Sequence, residues 1–181
     1  MTLDEEYENQ QSWRTSSDKL TFIVCAPTQE SPIKAGTADA DALMRGDINF
    51  FLYPFESDDE DEPTDAGWVT GEVDVMIASP SHRGQGLGRA AVCALLVYIR
   101  KHIDGILAEY GAKELKGLMV KIKEGNKGSR ALFEKLGFVQ KGEVNYFGEI
   151  MMTIEWEEVL ERDWWKGTEE EFTEVKYELD S

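Results

Sequence analysis

Residues 77–88 read Ile-Ala-Ser-Pro-Ser-His-Arg-Gly-Gln-Gly-Leu-Gly, an apolar run that meets an arginine and three alternating glycines just before a long helical repeat begins. Val73, Val75 and Ile77 alternate ahead of the turn as one face of a strand. Val92, Leu95, Leu96, Ile99, Ile103 and Ile106 recur behind it at helical spacing, closed by Gly111. A strand end, a tight turn and a helix N-terminus must therefore meet within a few residues. Gly84, Gly86 and Gly88 allow such a turn and present bare N–H groups. The helix adds unpaired amide donors and the positive end of its dipole, and Arg83 adds a fork of charge-assisted donors. Together these predict a phosphate cradle.

The charge along the chain supports an anionic ligand independently. Residues 1–80 carry a net −14, residues 81–141 a net +7 and residues 142–181 a net −10, within an overall −17. The one basic block begins at the glycine turn and continues through Lys121, Lys123, Lys127 and Arg130, and it predicts focusing of an anion of limited size. The acidic flanks would repel a duplex or a polyanionic membrane, so neither nucleic acid nor membrane is expected as a partner.

At 181 residues and 41% hydrophobic content the chain is expected to build one domain with a proper core. Cys25 and Cys93 lack metal-ligand spacing and read as buried thiols of a reducing compartment, with no metal site implied. No signal peptide, membrane-length apolar run or Asn-x-Ser/Thr site is visible, so a cytoplasmic or nuclear location is expected.

The elements follow from local pattern. Thr2-Leu3-Asp4-Glu5 is a capping box that opens a helix toward Trp13. Lys19–Cys25 reads as a strand with one fully buried face, 26–41 as a loop, and Arg45–Tyr53 as the next strand. The run Glu56–Pro63 is too acidic to pack and predicts a disordered connection to the strand Trp68–Ile77. After the long helix, of about five turns, a strand is expected over Leu115–Lys123, then a short helix Arg130–Leu136 capped by Gly137, then strands over Val139–Val144 and Ile150–Trp156. Residues 1–156 form the expected domain, and 157–181 an acidic tail or a helix opened by Thr168. His82 reads as a polar loop residue, His102 as a favourable charge late on the long helix, and Trp164-Trp165 as a packing anchor or a partner surface.

This order of elements, with its motifs, resembles the GNAT N-acetyltransferase superfamily, an α/β (α+β) fold with a mixed, mostly antiparallel twisted sheet flanked by helices. Arg83-Gly-Gln-Gly-Leu-Gly88 matches the superfamily's Arg/Gln-x-x-Gly-x-Gly/Ala acyl-CoA loop, Asn126 its usual asparagine beside the cofactor, and Ser129–Phe138 its short helix with the Lys-x-Gly-Phe ending. At finer grain the segments at 2–7, 18–24, 46–52 and 71–77 are similar to the N-acetyltransferase 9-like family. Superfamily members normally begin with a further strand and helix, so the chain resembles a member without that N-terminal portion. Loss of that strand would expose a sheet edge.

The resemblance implies an acetyl-CoA co-substrate. Its pantetheine arm would lie on the backbone of Ile77 and Ser79, its pyrophosphate on Arg83, Gly84, Gln85, Gly86, Leu87 and Gly88, with Asn126, Ser129 and Arg130 beside it. It implies direct attack by a protein or peptide amine, with Glu72 as base or Asp74, two residues on and on the same strand face, as the alternative. The tyrosine that many relatives use as acid is replaced by Phe133, leaving Tyr146 as a substitute or no acid at all. A link to tubulin as acceptor is implied only through the family. A dinucleotide-binding reading of Gly84-x-Gly86 fails because Asp104 falls within the helical repeat rather than at the end of a second strand. A non-catalytic acyl-CoA-binding or interaction module remains the alternative reading.

Overall fold

A computed structural model describes residues 2–28, 31–57 and 65–178. The helix opened by Thr2 runs Leu3–Arg14 (α1), with the full capping box: the Glu5 amide donates to Thr2 Oγ1 and the Thr2 amide donates to Glu5 Oε2. The strands Lys19–Cys25 (β1), Met44–Pro54 (β3) and Trp68–Ile77 (β4) form a consecutive antiparallel meander. The helix Leu87–Tyr110 (α2) then carries the chain across one face to the strand Glu114–Lys123 (β5), which lies parallel to β4. A parallel neighbour needs such a crossover. The helix Lys127–Leu136 (α3) leads to a short strand Val139–Lys141 (β6) and to Glu149–Glu155 (β7), which inserts antiparallel between β5 and β6. The resulting order is β1-β3-β4-β5-β7-β6, a mixed and mostly antiparallel sheet, as expected from the sequence.

The core lies between α2 and one face of this sheet. Val92, Leu95, Leu96 and Ile99 of α2 meet Ile48, Phe50 and Leu52 of β3, Val69 and Val73 of β4, and Leu118, Val120 and Ile122 of β5. The alternation holds past the bulge between Leu115 and Gly117 on β5, so Asp47, Asn49 and Phe51 on β3, Glu72 and Asp74 on β4, and Met119, Lys121 and Lys123 on β5 line the opposite face. Gly46 is required where β3 approaches β4, because a Cβ there would stand 1.8 Å from the Met76 carbonyl oxygen. Gly46→Ala is expected to cost about 1–3 kcal/mol, measured as a fall in Tm of roughly 2–4 °C per kcal/mol.

Several expectations are corrected. The apolar face of β1 is only half covered, because Phe22 and Val24 border an open groove of about 420 Å³ shared with Ala91, Leu95, Tyr98 and Phe172. The 26–41 segment is not merely a loop. Ile33–Lys34 (β2) pairs in parallel with Tyr177–Glu178 (β8), whose phenol donates to Asp39 at 2.6 Å. The long helix starts at Leu87, directly on the glycine turn, and its 24 residues exceed five turns. The short helix starts three residues earlier than expected, at Lys127, because Asn126 caps it by accepting from the Ser129 amide. Beyond Lys141 no strand continues: the Asn145 side chain accepts from the Phe147 and Glu149 amides and turns the chain back. Most of the acidic connection, 58–64, lies outside the described residues.

Residues 157–178 pack more fully than an acidic composition suggests. Trp156–Leu160 (α4) and Asp163–Glu171 (α5) place Val159 and Trp165 in the same core as α2. Thr168 does not open a helix; it sits inside α5, and the chain is extended from Phe172. The Trp pair is an anchor: Trp165 lies 6.3 Å from the Trp156 ring, and Trp164 Nε1 donates to the Leu136 carbonyl. His102 stacks on Tyr98 and meets Glu174 at 3.2 Å, which ties the final segment to α2. No described helix is long and apolar enough to cross a membrane.

Candidate active site

The parallel pairing of β4 and β5 stops at Glu72 and Met119, and residues 73–77 have β3 on one side and no strand on the other. A wedge opens there, and its floor is the unpaired backbone edge leading to the glycine turn. Gly84 and Gly86 adopt φ of 73° and 87°, the left-handed region that glycine enters without strain, and a Cβ at either would point into open space. Gly86 is the N-cap of α2, with no side-chain cap and no acidic residue in the first turn. Amides and dipole are thus left facing the wedge, which suits an anion. A Cβ at Gly88 would stand 3.5 Å from the Leu132 side chain, so the first turn of α2 sits beside α3.

Individual side chains differ from their expected settings. Arg83 folds back onto the strand end, where Nε donates to the Ile77 carbonyl at 2.8 Å and Nη2 to the Ala78 carbonyl at 3.0 Å. Gln85 donates to the Ser81 carbonyl, and the Ser79 hydroxyl meets that of Ser81. The basic block is largely paired: Lys121 bonds Glu72, Lys123 bonds Glu149, and Arg130 bonds Glu134 within α3. Asn126 and Ser129 flank the mouth through the α3 cap. Phe133 is buried against Phe138 at 5.1 Å. Tyr146 is 97% exposed at the tip of the β6–β7 connection, in contact with the Phe147 ring.

The two carboxylates proposed as bases have different surroundings. Glu72, its side chain 15% exposed, is held by Lys121 Nζ at 2.7 Å. Asp74 is the first carboxylate past the point where β5 departs, directly opposite Asn49. Asn49 is 6% exposed and held on both sides: its amide nitrogen donates to Asp47 at 2.8 Å and its oxygen accepts from the Thr21 hydroxyl at 2.8 Å. Asp74 is exposed, yet desolvation on the side facing the sheet raises its carboxyl above the ordinary range, and the negative charges of Asp47 and Glu72 push the same way. The Val75 backbone opposes them. The Thr21–Asn49–Asp47 chain was overlooked in the sequence, yet the alternation Asp47-Ile-Asn49-Phe-Phe51 already placed both polar residues on the Asp74 face.

A splayed parallel strand pair beside a bare glycine turn on an uncapped helix offers an unpaired strand edge and free amides to an anionic co-substrate, with a carboxylate at the mouth. Residues 2–139 match the family model described as an acetyltransferase (GNAT) domain. The N-acetyltransferase 9-like protein of Schizosaccharomyces pombe is 35% identical over 173 residues, covering 85% of this chain and 78% of that protein. Alpha/beta-tubulin-N-acetyltransferase 9 of Homo sapiens is 35% identical over 154 residues, covering 85% of this chain and 64% of that protein. Spermidine N-acetyltransferase from Vibrio cholerae, in complex with CoA and spermine, superimposes with a TM-score of 0.60 at 18% identity, over 88% of this chain and 79% of that one. The chain belongs to the GNAT acetyltransferase superfamily and, within it, to the N-acetyltransferase 9-like family. It is an acetyl-CoA-dependent N-acetyltransferase.

Proposed function

We propose that this chain acetylates a protein or peptide amine, with Asp74 rather than Glu72 receiving the acceptor's proton. The observation that carries the reading is the position of Asp74, at the point where β4 and β5 part, with a carboxyl of raised proton affinity. A base works best when its pKa approaches the working pH. Glu72 is engaged by Lys121 at 2.7 Å, so its carboxylate is turned to β5 rather than to the acceptor. Bound acetyl-CoA supplies an activated thioester, whose carbonyl the amine attacks as the N–C bond forms and the C–S bond breaks. Asp74 takes one proton from the arriving ammonium, and the second amine proton neutralises the departing thiolate.

Ile77, Ser79 and the turn Arg83–Gly88 are the residues we assign to the co-substrate, with Asn126, Ser129 and Arg130 at the side of the mouth. Their support is the unpaired edge of β4 and the open space above Gly84 and Gly86. Tyr146, standing in solvent, makes a poor proton donor for the wedge, and with Phe133 buried the thiolate leaves without a dedicated acid.

For the acceptor we propose tubulin, supported by the names of the Drosophila melanogaster and Homo sapiens relatives, and within it we propose the terminal α-amine. Mass spectrometry after incubation with acetyl-CoA, an α-tubulin amino-terminal peptide and a peptide with a blocked α-amine and one internal lysine checks this. Acetylation confined to the free α-amine is expected. Modification of the internal lysine alone overturns the α-amine reading.

A further inference from the structure

Lys121 reads from sequence as part of an anion-focusing block, but β5 turns it to the carboxylate face of the sheet, away from the glycine turn. Its ammonium meets Glu72 Oε2 at 2.7 Å and lies 5.5 Å from the centre of the Tyr53 ring. Lys121 is two residues past Met119, the last β5 residue paired with β4, so the link spans the two strands where they begin to part. We propose that Lys121 is a positioning residue of the transfer reaction: by holding the Glu72 carboxylate turned toward β5, it leaves Asp74 as the one carboxylate of the pair available to the acceptor. This rests on the assignment of Asp74 as base.

The arrangement solves a problem that the sequence sets. Two carboxylates two residues apart on one strand face repel through their charges, so which of them takes a proton depends on the other groups around each. Here the charges around them are distributed unequally. Asp74 faces Asp47 on β3, Glu72 on its own strand and Asn49 opposite, whose amide is committed to Asp47 and Thr21. Glu72 faces Lys121 from β5, and Lys121 in turn faces Tyr53 from β3 and Glu149 from β7. Lys19 on β1 is directed to the Trp13 and Phe51 rings. The pair with Glu72 also keeps the Lys121 amine protonated, its proton affinity raised first by that hydrogen bond, so a lysine beside the wedge does not become the acceptor itself.

The test is a carbon-13 NMR titration of the Asp74 side-chain carboxyl in the substrate-free chain, in the wild type, Lys121→Met and Lys121→Arg. Removing the ammonium exposes Asp74 to an uncompensated Glu72, so its midpoint is expected to rise by about one pH unit in Lys121→Met and to return in Lys121→Arg. Acetylation of the tubulin peptide should then fall about tenfold on the acid side of that midpoint and recover as the pH rises. Unchanged acetyl-CoA affinity shows that each variant is folded. A merely structural lysine would lower activity at every pH and leave the midpoint where it was. An unmoved Asp74 midpoint in Lys121→Met overturns the role of Lys121 whatever the base is. A shifted midpoint combined with full activity of Asp74→Asn overturns the base assignment, and with it any part for Lys121 in transfer.

Discussion

Asp74→Asn is expected to lower the turnover of acetyl transfer by about 10²–10⁴-fold, the usual worth of a positioned general base, while leaving acetyl-CoA affinity unchanged. The asparagine keeps the shape and loses the proton acceptor. Glu72→Gln should cost less, because Glu72 is held by Lys121 and lies below the opening of the wedge. The same Asp74→Asn change is expected to stabilise the protein at neutral pH. A carboxyl whose folded proton affinity is raised binds more protons in the native than in the unfolded state, so its contribution to stability falls as pH rises from the unfolded pKa through the folded one. Removing the charge abolishes that loss above the window and changes nothing below it. Thermal unfolding at pH 7 and again at pH 3 measures the difference. Steady-state kinetics across pH, with binding measured in parallel, separates loss of the base from loss of the fold. Full turnover in Asp74→Asn would leave Glu72 or solvent as base.

Trp165→Ala is expected to be the most destabilising single change outside the sheet, at about 3–5 kcal/mol for removal of a buried tryptophan. Trp165 is 4% exposed, packs edge-on to Trp156 and lies on α5, which rests against α2. A loss of that size is a large share of the roughly 5–15 kcal/mol that holds a domain together. Urea unfolding should show a lower midpoint at an unchanged slope, meaning one cooperative unit that includes 157–171. An effect below about 0.5 kcal/mol, the range of ordinary surface changes, would mean that these helices are an appendage.

The parts of the fold written in alternation and glycine punctuation were legible from the residues. The strands at 19–25 and 68–77, the long helix on its glycine turn and the capped short helix all depend on local pattern, and all are present. The failures lie where long-range contact outweighs local composition. Residues 157–171 look like solvated acid, but Val159 and Trp165, with Trp164 packed beside them, carry them into the core. The two-residue strands at 33–34 and 177–178 are too short to leave a periodic signal, and each exists only because the other pairs with it. At the site, a formal charge count cannot say which lysines are spent on neighbouring carboxylates. Lys121, Lys123 and Arg130 counted toward an anion-binding block and instead neutralise Glu72, Glu149 and Glu134.

Isothermal titration of acetyl-CoA into the wild-type chain and into Arg83→Ala tests the phosphate cradle, on which the reading as an acetyltransferase depends. Arg83 orders the strand end through Ile77 and Ala78 and is the charged side chain of the turn. Micromolar binding is expected, weakened by roughly 10–100-fold in Arg83→Ala, the worth of one or two charge-assisted hydrogen bonds. Binding of equal strength in both proteins would contradict the cradle, and a folded wild-type chain that takes up no acetyl-CoA would contradict its action as an acetyltransferase.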